Sequence, residues 1–498
     1  MAYSAGWDLT VTDGFCGLGG SSHGLEGIAG VKVVMAANHD PLAVATHNHN
    51  LPHADHDCAD ISQVDFRKYP ATDILWMSPD CTDHSQAKAK ELKKGEKADR
   101  SRATMFDVPR ALETGLRRGK PYKAFFVENV VEVNKWMYMR MWRLMVAAAD
   151  YCIHEVCYNS AHAQASGLPA PQSRDRWYCV GHRKNIPCPD LDKWLRPPAH
   201  CPKCDMTVSA IQLYKDPNQT FGKYRQQYLW HCPRCTTVVE PAVLPAAAAI
   251  DATDLGTRIG DKPTKDFYSR SGEFLGHGPL APKTMARIAG GIDKWERGLF
   301  DSPALIVPVE GRDGKHAMDG AAPLRTLTTR RETSVLFAPF ITLLRGGGSL
   351  KSSRTVLEPL DTVTSGGNHH GLVIPGFMMR NNGSKGNGSE HCTSLLDMMR
   401  TLTTRGHQSL LTWAEINGPI QVEDCLYRML QPREQMNGMG LSQDFEMLPD
   451  TSKRDQTRLA GQAVTPPVAR DIGSAMVEAI RGEDIELYRH DDLELSAA

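Results

Sequence analysis

Asp8-Leu9-Thr10-Val11-Thr12 runs straight into Asp13-Gly14-Phe15-Cys16-Gly17-Leu18-Gly19-Gly20. The first five residues read as a buried strand. The glycines that follow let the backbone turn tightly and lie close to a ligand, with the amino terminus of the next helix facing an anionic group. Taken alone, the same letters also fit an ordinary glycine-rich turn. Outward from this stretch the pattern repeats. Short apolar runs at 8–12, 31–36, 73–77, 124–127, 153–158 and 177–181 alternate with amphipathic stretches near 20–29, 41–50, 103–118 and 137–149. Such alternation predicts an α/β fold, a mostly parallel sheet with helices on both faces.

The second strand ends at Asn38, whose amide can bond a hydroxyl where a nucleotide-type site usually places an acid. Asp60 offers a carboxylate for an adenine amino group. The third run, Asp73-Ile74-Leu75-Trp76-Met77, delivers Ser78-Pro79-Asp80-Cys81. The fourth delivers Glu128-Asn129-Val130, and Gln172-Ser173-Arg174-Asp175-Arg176 precedes the last. In open α/β sheets ligands sit beyond the carboxyl ends of strands, so a thiol, a carboxylate and two arginines can converge there. A thiol is nucleophilic as its thiolate, and its targets include electron-poor double bonds such as C6 of a pyrimidine. Addition there makes C5 nucleophilic and needs a proton donor at N3. Glu128 fits that role, and Asn129 could hold the strand end or the base. Arg174 and Arg176 could hold a base carbonyl, a phosphate or the nucleophile loop. Singly, each residue also fits a structural role.

These residues, in this order, resemble the DNA (cytosine-5)-methyltransferase family. The glycine stretch is similar to its first motif, Pro79-Asp80-Cys81 to its nucleophile motif and Glu128-Asn129-Val130 to its Glu-Asn-Val. Gln172, Arg174 and Arg176 match its Gln-x-Arg-x-Arg. Tyr427-Arg428-Met429-Leu430-Gln431-Pro432-Arg433-Glu434 and Gly461-Gln462-Ala463-Val464-Thr465-Pro466-Pro467-Val468 resemble its last two motifs. The resemblance covers about 1–185 and 425–480. It implies a Rossmann-like core, S-adenosylmethionine as donor, double-stranded DNA as partner, a flipped-out cytosine and covalent attack by Cys81. By the family pattern Asp13, Phe15, Gly17, Gly19, Gly20, Asn38, Asp60, Pro79, Gln462 and Val464 border the cofactor. The chain departs from the pattern at Asp80 and Thr82, where the family has Pro and Gln. It departs again at His84, at Asn38 for an acid and at Gln462 for Asn. Asp80 and Asp83 would tend to raise a neighbouring thiol pKa. The alternatives are the same chemistry on RNA or with a modified donor, and an inactive sequence-specific DNA-binding protein.

Cys201-Pro202-Lys203-Cys204 and Cys232-Pro233-Arg234-Cys235 are two paired knuckles, and four thiolates so arranged suit a structural zinc. Thirteen cysteines, an odd and scattered set, fit reduced thiols and a metal better than a disulfide framework. Lys223, Tyr224, Arg225, Tyr228 and Trp230, between the knuckles, either touch DNA or pack the insert. From Gln86 to Lys123 there are twelve Lys or Arg and five Asp or Glu, a segment that either closes over phosphates or is a solvated face. A net charge of -1 over 498 residues leaves nucleic-acid contact to such local patches.

A repeat recurs at Pro323–Thr329, Pro359–Ser365 and Met398–Thr404, at spacings of 36 and 39 residues, each followed by an apolar strand-like run. Arg325, Arg330, Arg331, Arg400 and Arg405 there are candidates for base contacts. The expected organisation is a catalytic domain over 1–195, a zinc ribbon over 196–240 and a β-rich target-recognition domain over 241–416. Late motifs over 417–485 return to the catalytic domain, and 486–498 is an acidic tail. Helices are expected at 282–298 and 456–482. With no signal-peptide pattern and no long apolar run, the expectation is a cytoplasmic, monomeric protein of a bacterial or phage-infected cell, with room for a cognate restriction enzyme and none for a membrane.

Overall fold

The computed structural model describes residues 8–79, 103–244, 246–249, 251, 257–268, 271–280 and 431–488; between 281 and 430 it describes scattered positions, chiefly the backbone of short strands. Cys81, Asp80, most of the repeat, the five repeat arginines and nearly all of 282–298 lie outside the described residues. The chain divides into two compact units. The first comprises Met1–Ala249, Pro359–Gly367 and Pro432–Ala497, and the second takes essentially the rest.

The first unit is built on a seven-stranded sheet. Its strands are β1 (Leu9–Gly14), β2 (Val31–Asn38), β3 (Asp55–Cys58), β4 (Ile74–Met77), β5 (Ala124–Asn129), β6 (Tyr151–Asn159) and, after the two-residue β7 (Gln172–Ser173), β8 (Asp175–Arg183). The spatial order is β3-β2-β1-β4-β5-β8-β6. The first five strands are mutually parallel, and β8 runs antiparallel between β5 and β6. Strands buried on both faces read as continuous apolar runs, which is why Ile74-Leu75-Trp76-Met77 was legible. β3, Asp-His-Asp-Cys at the sheet edge, is half exposed and carries no such signal.

One face of the sheet packs α1 (Gly20–Glu26) and the last helix. The other packs α3 (Asp107–Arg117) and α4 (Met139–Ala148) through Val108, Leu112, Trp142 and Val146. α2 (Pro41–Asn50) begins where Asp40 accepts the Leu42 N–H at 3.0 Å, with Pro41 in the first turn. After α5 (Leu191–Leu195), two hairpins pair β9 (Pro198–Cys201) with β10 (Met206–Ser209) and β11 (Ile211–Tyr214) with β12 (Tyr228–His231).

The carboxyl-terminal segment forms α6 (Pro432–Gly438), α7 (Lys453–Gln462) and α8 (Pro466–Arg481). The helical pattern expected over 456–482 is realised as two helices, α7 and α8. Pro466-Pro467 cannot donate to the preceding turn, and they open α8 instead. α8 lies close against α1: a Cβ on Gly24 would meet the Pro466 carbonyl oxygen at 2.3 Å and the Ala469 Cβ at 2.9 Å. Gly24→Ala gains about 1 kcal/mol of helix propensity but forces two backbones apart, which costs about 1–3 kcal/mol. The expected net result is a lower melting temperature; an unchanged or higher one would contradict this packing.

The second unit is β-rich among its described residues, which also include a 3-10 turn at Ile259–Asp261. A five-stranded antiparallel sheet takes Thr257–Arg258, Leu426–Met429, His370–Ile374, Phe340–Leu343 and Ser353–Thr355 in that order. Thr333–Leu336 and Gln408–Leu411 lie in two separate three-stranded sheets, so the runs that follow all three repeats are strands. Leu426–Met429 belongs to this unit and α6 to the first. The Tyr427–Glu434 motif therefore spans the passage from one unit to the other.

Candidate active site

β1 and β4 pair Gly14 with Met77. From β1 the chain builds outward through β2 and β3, then returns to build β4 and β5 on the other side. The crevice beyond Gly14 and Met77 is therefore the switch point at which such sheets bind ligands. The glycine stretch turns there with Phe15 at φ 59°, Gly17 at φ 56° and Gly19 at φ 113°. No described residue lies within 4 Å of a Cβ placed on Gly17, so that side of the loop is open among the described residues. Gly20 differs: a Cβ there would meet the Val464 carbonyl oxygen at 2.0 Å. Its smallness admits the returning carboxyl-terminal segment rather than a ligand.

Asp13 is fully buried at the end of β1. Ser21 and Ser22 each donate a hydroxyl to its Oδ2 at 2.6 Å, and its Oδ1 has no hydrogen-bond partner among the described residues. Burial pushes its carboxyl up to about 6. Because the Ser22 proton goes to Asp13, His47 Nε2 donates to the Ser22 oxygen at 2.9 Å and its Nδ1 accepts from His56 Nε2 at 2.8 Å. Burial holds His47 down to about 3, so it is neutral. This network under the loop left no mark in the sequence beyond the serines after Gly20. An orphaned buried acceptor beside an open glycine turn fits a bound hydrogen-bond donor.

Asn38 accepts the Asp40 N–H on its Oδ1 at 3.0 Å, and Asp40 in turn pairs with Arg458 of α7. Gln462, exposed, accepts from Arg458 at 3.4 Å. Asp60 caps the turn Ile61–Gln63 by accepting the Ser62 N–H at 3.2 Å.

At the end of β5, Glu128 is 7 % exposed and Asn129 is fully buried. Asn129 donates from Nδ2 to the Pro79 carbonyl at 3.3 Å and lies 3.6 Å from the Met105 sulfur. Met105 also accepts from the Trp142 indole at 2.8 Å through its carbonyl. Pro79 lies just past the end of β4 and Met105 in the 3-10 turn that leads into α3, and one side chain touches both points. Because β8 is antiparallel, its amino end lies beside the carboxyl end of β5, with Asn129 opposite Trp177 and Glu128 opposite Tyr178. That register carries Arg176 Nε to 3.0 Å from Glu128 Oε1. The pair is not aligned as a hydrogen bond, so it is a charge contact.

Arg174 is engaged elsewhere. It donates to the carbonyls of Gly461 and Ala463 at 3.1 and 3.0 Å, tying the carboxyl-terminal segment to the sheet. Gln172 is fully buried with neither amide atom partnered among the described residues.

The four knuckle cysteines converge, with all four sulfurs within 4.8 Å of one another; Cys201–Cys235 is 3.5 Å and Cys204–Cys232 is 3.9 Å. A tetrahedral zinc with Zn–S of about 2.3 Å sets its sulfurs about 3.8 Å apart, so the set fits that ion. Tyr228 and Trp230 are buried and pack the insert onto the sheet. The Tyr224 N–H and Tyr228 hydroxyl donate to Asp175 at 3.0 and 3.3 Å, and Lys223 pairs with Glu132 at 2.7 Å. The insert therefore holds the residue between Arg174 and Arg176, and the turn just after Glu128-Asn129-Val130. In the described part of the basic segment, Arg110, Arg117, Arg118 and Lys123 bond to neighbouring carboxylates and carbonyls, which favours the structural reading there.

The chain is 32% identical over 213 residues to the type II methyltransferase M.NlaX of Neisseria lactamica, a match covering 43% of this chain and 62% of that protein. It thus spans less than two thirds of that relative's length. Among solved structures it is similar to a DNMT2 mutant of Spodoptera frugiperda (13% identity, 95% of this chain and 100% of that one, TM-score 0.46). It is also similar to a putative DNA modification methyltransferase encoded within an Escherichia coli prophage (14%, 95% and 100%, TM-score 0.46). The family model for C-5 cytosine-specific DNA methylases matches residues 9–237 and 354–478, well over half of the chain, and the chain belongs to that family.

Proposed function

We propose that the protein is a DNA (cytosine-5)-methyltransferase in which Cys81 attacks C6 of a flipped-out cytosine in duplex DNA. The observation that carries this reading is that Asn129 touches both Pro79 and Met105 while its chain neighbour Glu128 faces Arg176. Described residues close to either end of the stretch that contains Cys81 are thus held next to a carboxylate and a guanidinium. Glu128 supplies the hydrogen bond at N3 that offsets charge built up by thiolate addition, and Arg176 holds Glu128. Asn129 positions the nucleophile segment, and Arg174 positions the carboxyl-terminal segment. S-adenosylmethionine, when bound, supplies an electrophilic methyl group. Asp13, Phe15, Gly17, Gly19, Asn38, Asp60 and Pro79 would line its site, with Gly20, Gln462 and Val464 shaping the wall beside it.

The second unit, β-rich and interleaved with the late motifs, is the candidate reader of the target sequence, through phosphate and base-edge contacts. The Neisseria relative's type II designation supports a place beside a restriction enzyme. Mass spectrometry of nucleosides from plasmid DNA, propagated with and without the protein, tests the proposal. A gain of 5-methylcytosine supports it. An altered mass on cytosine would mean another donor. Unmodified DNA from cells containing folded protein would overturn it.

The four-cysteine insert is proposed as a zinc ribbon that braces the site through Asp175 and Glu132. Cys232→Ser, or removal of the ion by a strong chelator, is expected to lower the melting temperature and to cut methylation at least about tenfold, as lost supporting contacts do. Metal analysis beside the activity assay checks this; a zinc-free protein of full activity would contradict it.

A further inference from the structure

We propose that His154, His182 and Cys188 form a second transition-metal site, at the margin of the central sheet and sharing no residue with the four-cysteine cluster. One ligand atom from each of the three converges within 4.8 Å. His154 and His182 stand on adjacent antiparallel strands, His182 opposite Cys152 and His154 opposite Val180. Their side chains are thus diagonal neighbours on one face. Their Nε2 atoms are 3.2 Å apart. Two imidazole nitrogens about 2.0–2.1 Å from a tetrahedral ion stand about 3.3 Å apart, so the spacing already suits a shared ion.

The tautomer of His182 favours this reading. Its Nδ1 lies 3.0 Å from the Arg183 carbonyl oxygen. A carbonyl only accepts, so Nδ1 carries the proton and Nε2 presents a lone pair. A ligating histidine is generally fixed this way, by donating its other ring nitrogen to a carbonyl. Without metal, His154 Nε2 donates to His182 Nε2; the ion takes the place of that proton. The rings are nearly parallel, at 8° with centroids 5.3 Å apart, so binding asks each to turn about its own axis.

The third ligand arrives on a stiff connection. The turn after β8 is closed by the Ile186 N–H bonding the Arg183 carbonyl at 2.9 Å, the same oxygen that orients His182. Cys188 lies between Pro187 and Pro189, whose fixed φ angles limit the freedom lost when the thiol is held. His182 is buried, His154 half-buried and Cys188 exposed. The ion therefore has a path from solvent, and a fourth position remains for water. Two imidazoles and a thiolate select zinc-class ions over magnesium or calcium.

Titration of the purified full-length protein with Co2+, its four-cysteine cluster kept zinc-loaded, tests the proposal. One further equivalent is expected, with tetrahedral d–d bands and a thiolate-to-cobalt charge-transfer band. Cys188→Ser, at an exposed position, is expected to remove the charge-transfer band while leaving the cluster's zinc in place. His154→Gln is expected to weaken cobalt binding by more than about tenfold. Overturning results would be no further equivalent in the wild-type protein, or one whose spectrum and affinity are the same in both variants.

Discussion

Cys81→Ser is expected to lower methyl transfer to duplex DNA by on the order of a thousandfold or more, since removing a covalent nucleophile removes the step it opens. Affinity for the same duplex should stay within a few-fold, because the change exchanges one sulfur for an oxygen and removes no charged group. Cytosine C5 is not nucleophilic in the aromatic ring; it becomes so only once a thiolate has added at C6 and the ring electrons have moved toward N3 and C5. A serine hydroxyl at neutral pH presents almost no alkoxide for that addition. Two assays read the result. Labelled methyl incorporation should fall to background. A duplex carrying 5-fluorocytosine should form a stable adduct with the wild-type chain and none with the variant, since fluorine at C5 blocks the final proton loss. An unchanged product yield would sink the covalent mechanism.

The parts of this site that were legible in the sequence are those where chemistry and strand ends coincide. Gly17 and Gly19 sit at positive φ after β1, and Glu128-Asn129 and Arg176 flank one rung of the sheet, as the apolar runs before or after them imply. Assignments based on residue type alone divided differently. Arg174 has the same charge as Arg176, yet it is engaged by the Gly461 and Ala463 carbonyls, partners nearly three hundred residues away that no local pattern reveals. Gly20 answers to Val464 in the same way. Tyr228 and Trp230 had the composition of a DNA-facing surface, but their burial is decided by the sheet that the insert lies on. Asp175, the unconsidered residue between two arginines, is what joins the insert to the site.

Glu128→Gln separates the two kinds of residue. It keeps the shape of the side chain and a hydrogen-bonding end, but removes the carboxyl group that would serve N3 and the charge facing Arg176 at 3.0 Å. Loss of a positioned proton donor costs about 10²–10⁴ in rate, and that fall is expected in kcat with little change in DNA affinity. Arg174→Lys is the contrasting case. A lysine cannot span two carbonyls as the planar guanidinium does, so it should loosen the Gly461–Ala463 segment and lower the melting temperature. Its effect on rate should follow that loss of order and be partly recovered at lower temperature. The Glu128→Gln loss should persist at every temperature at which the protein is folded. If Glu128→Gln lowered only stability and kept its kcat, Glu128 would be a strand-end ion pair, and the proton at N3 would have to come from another group.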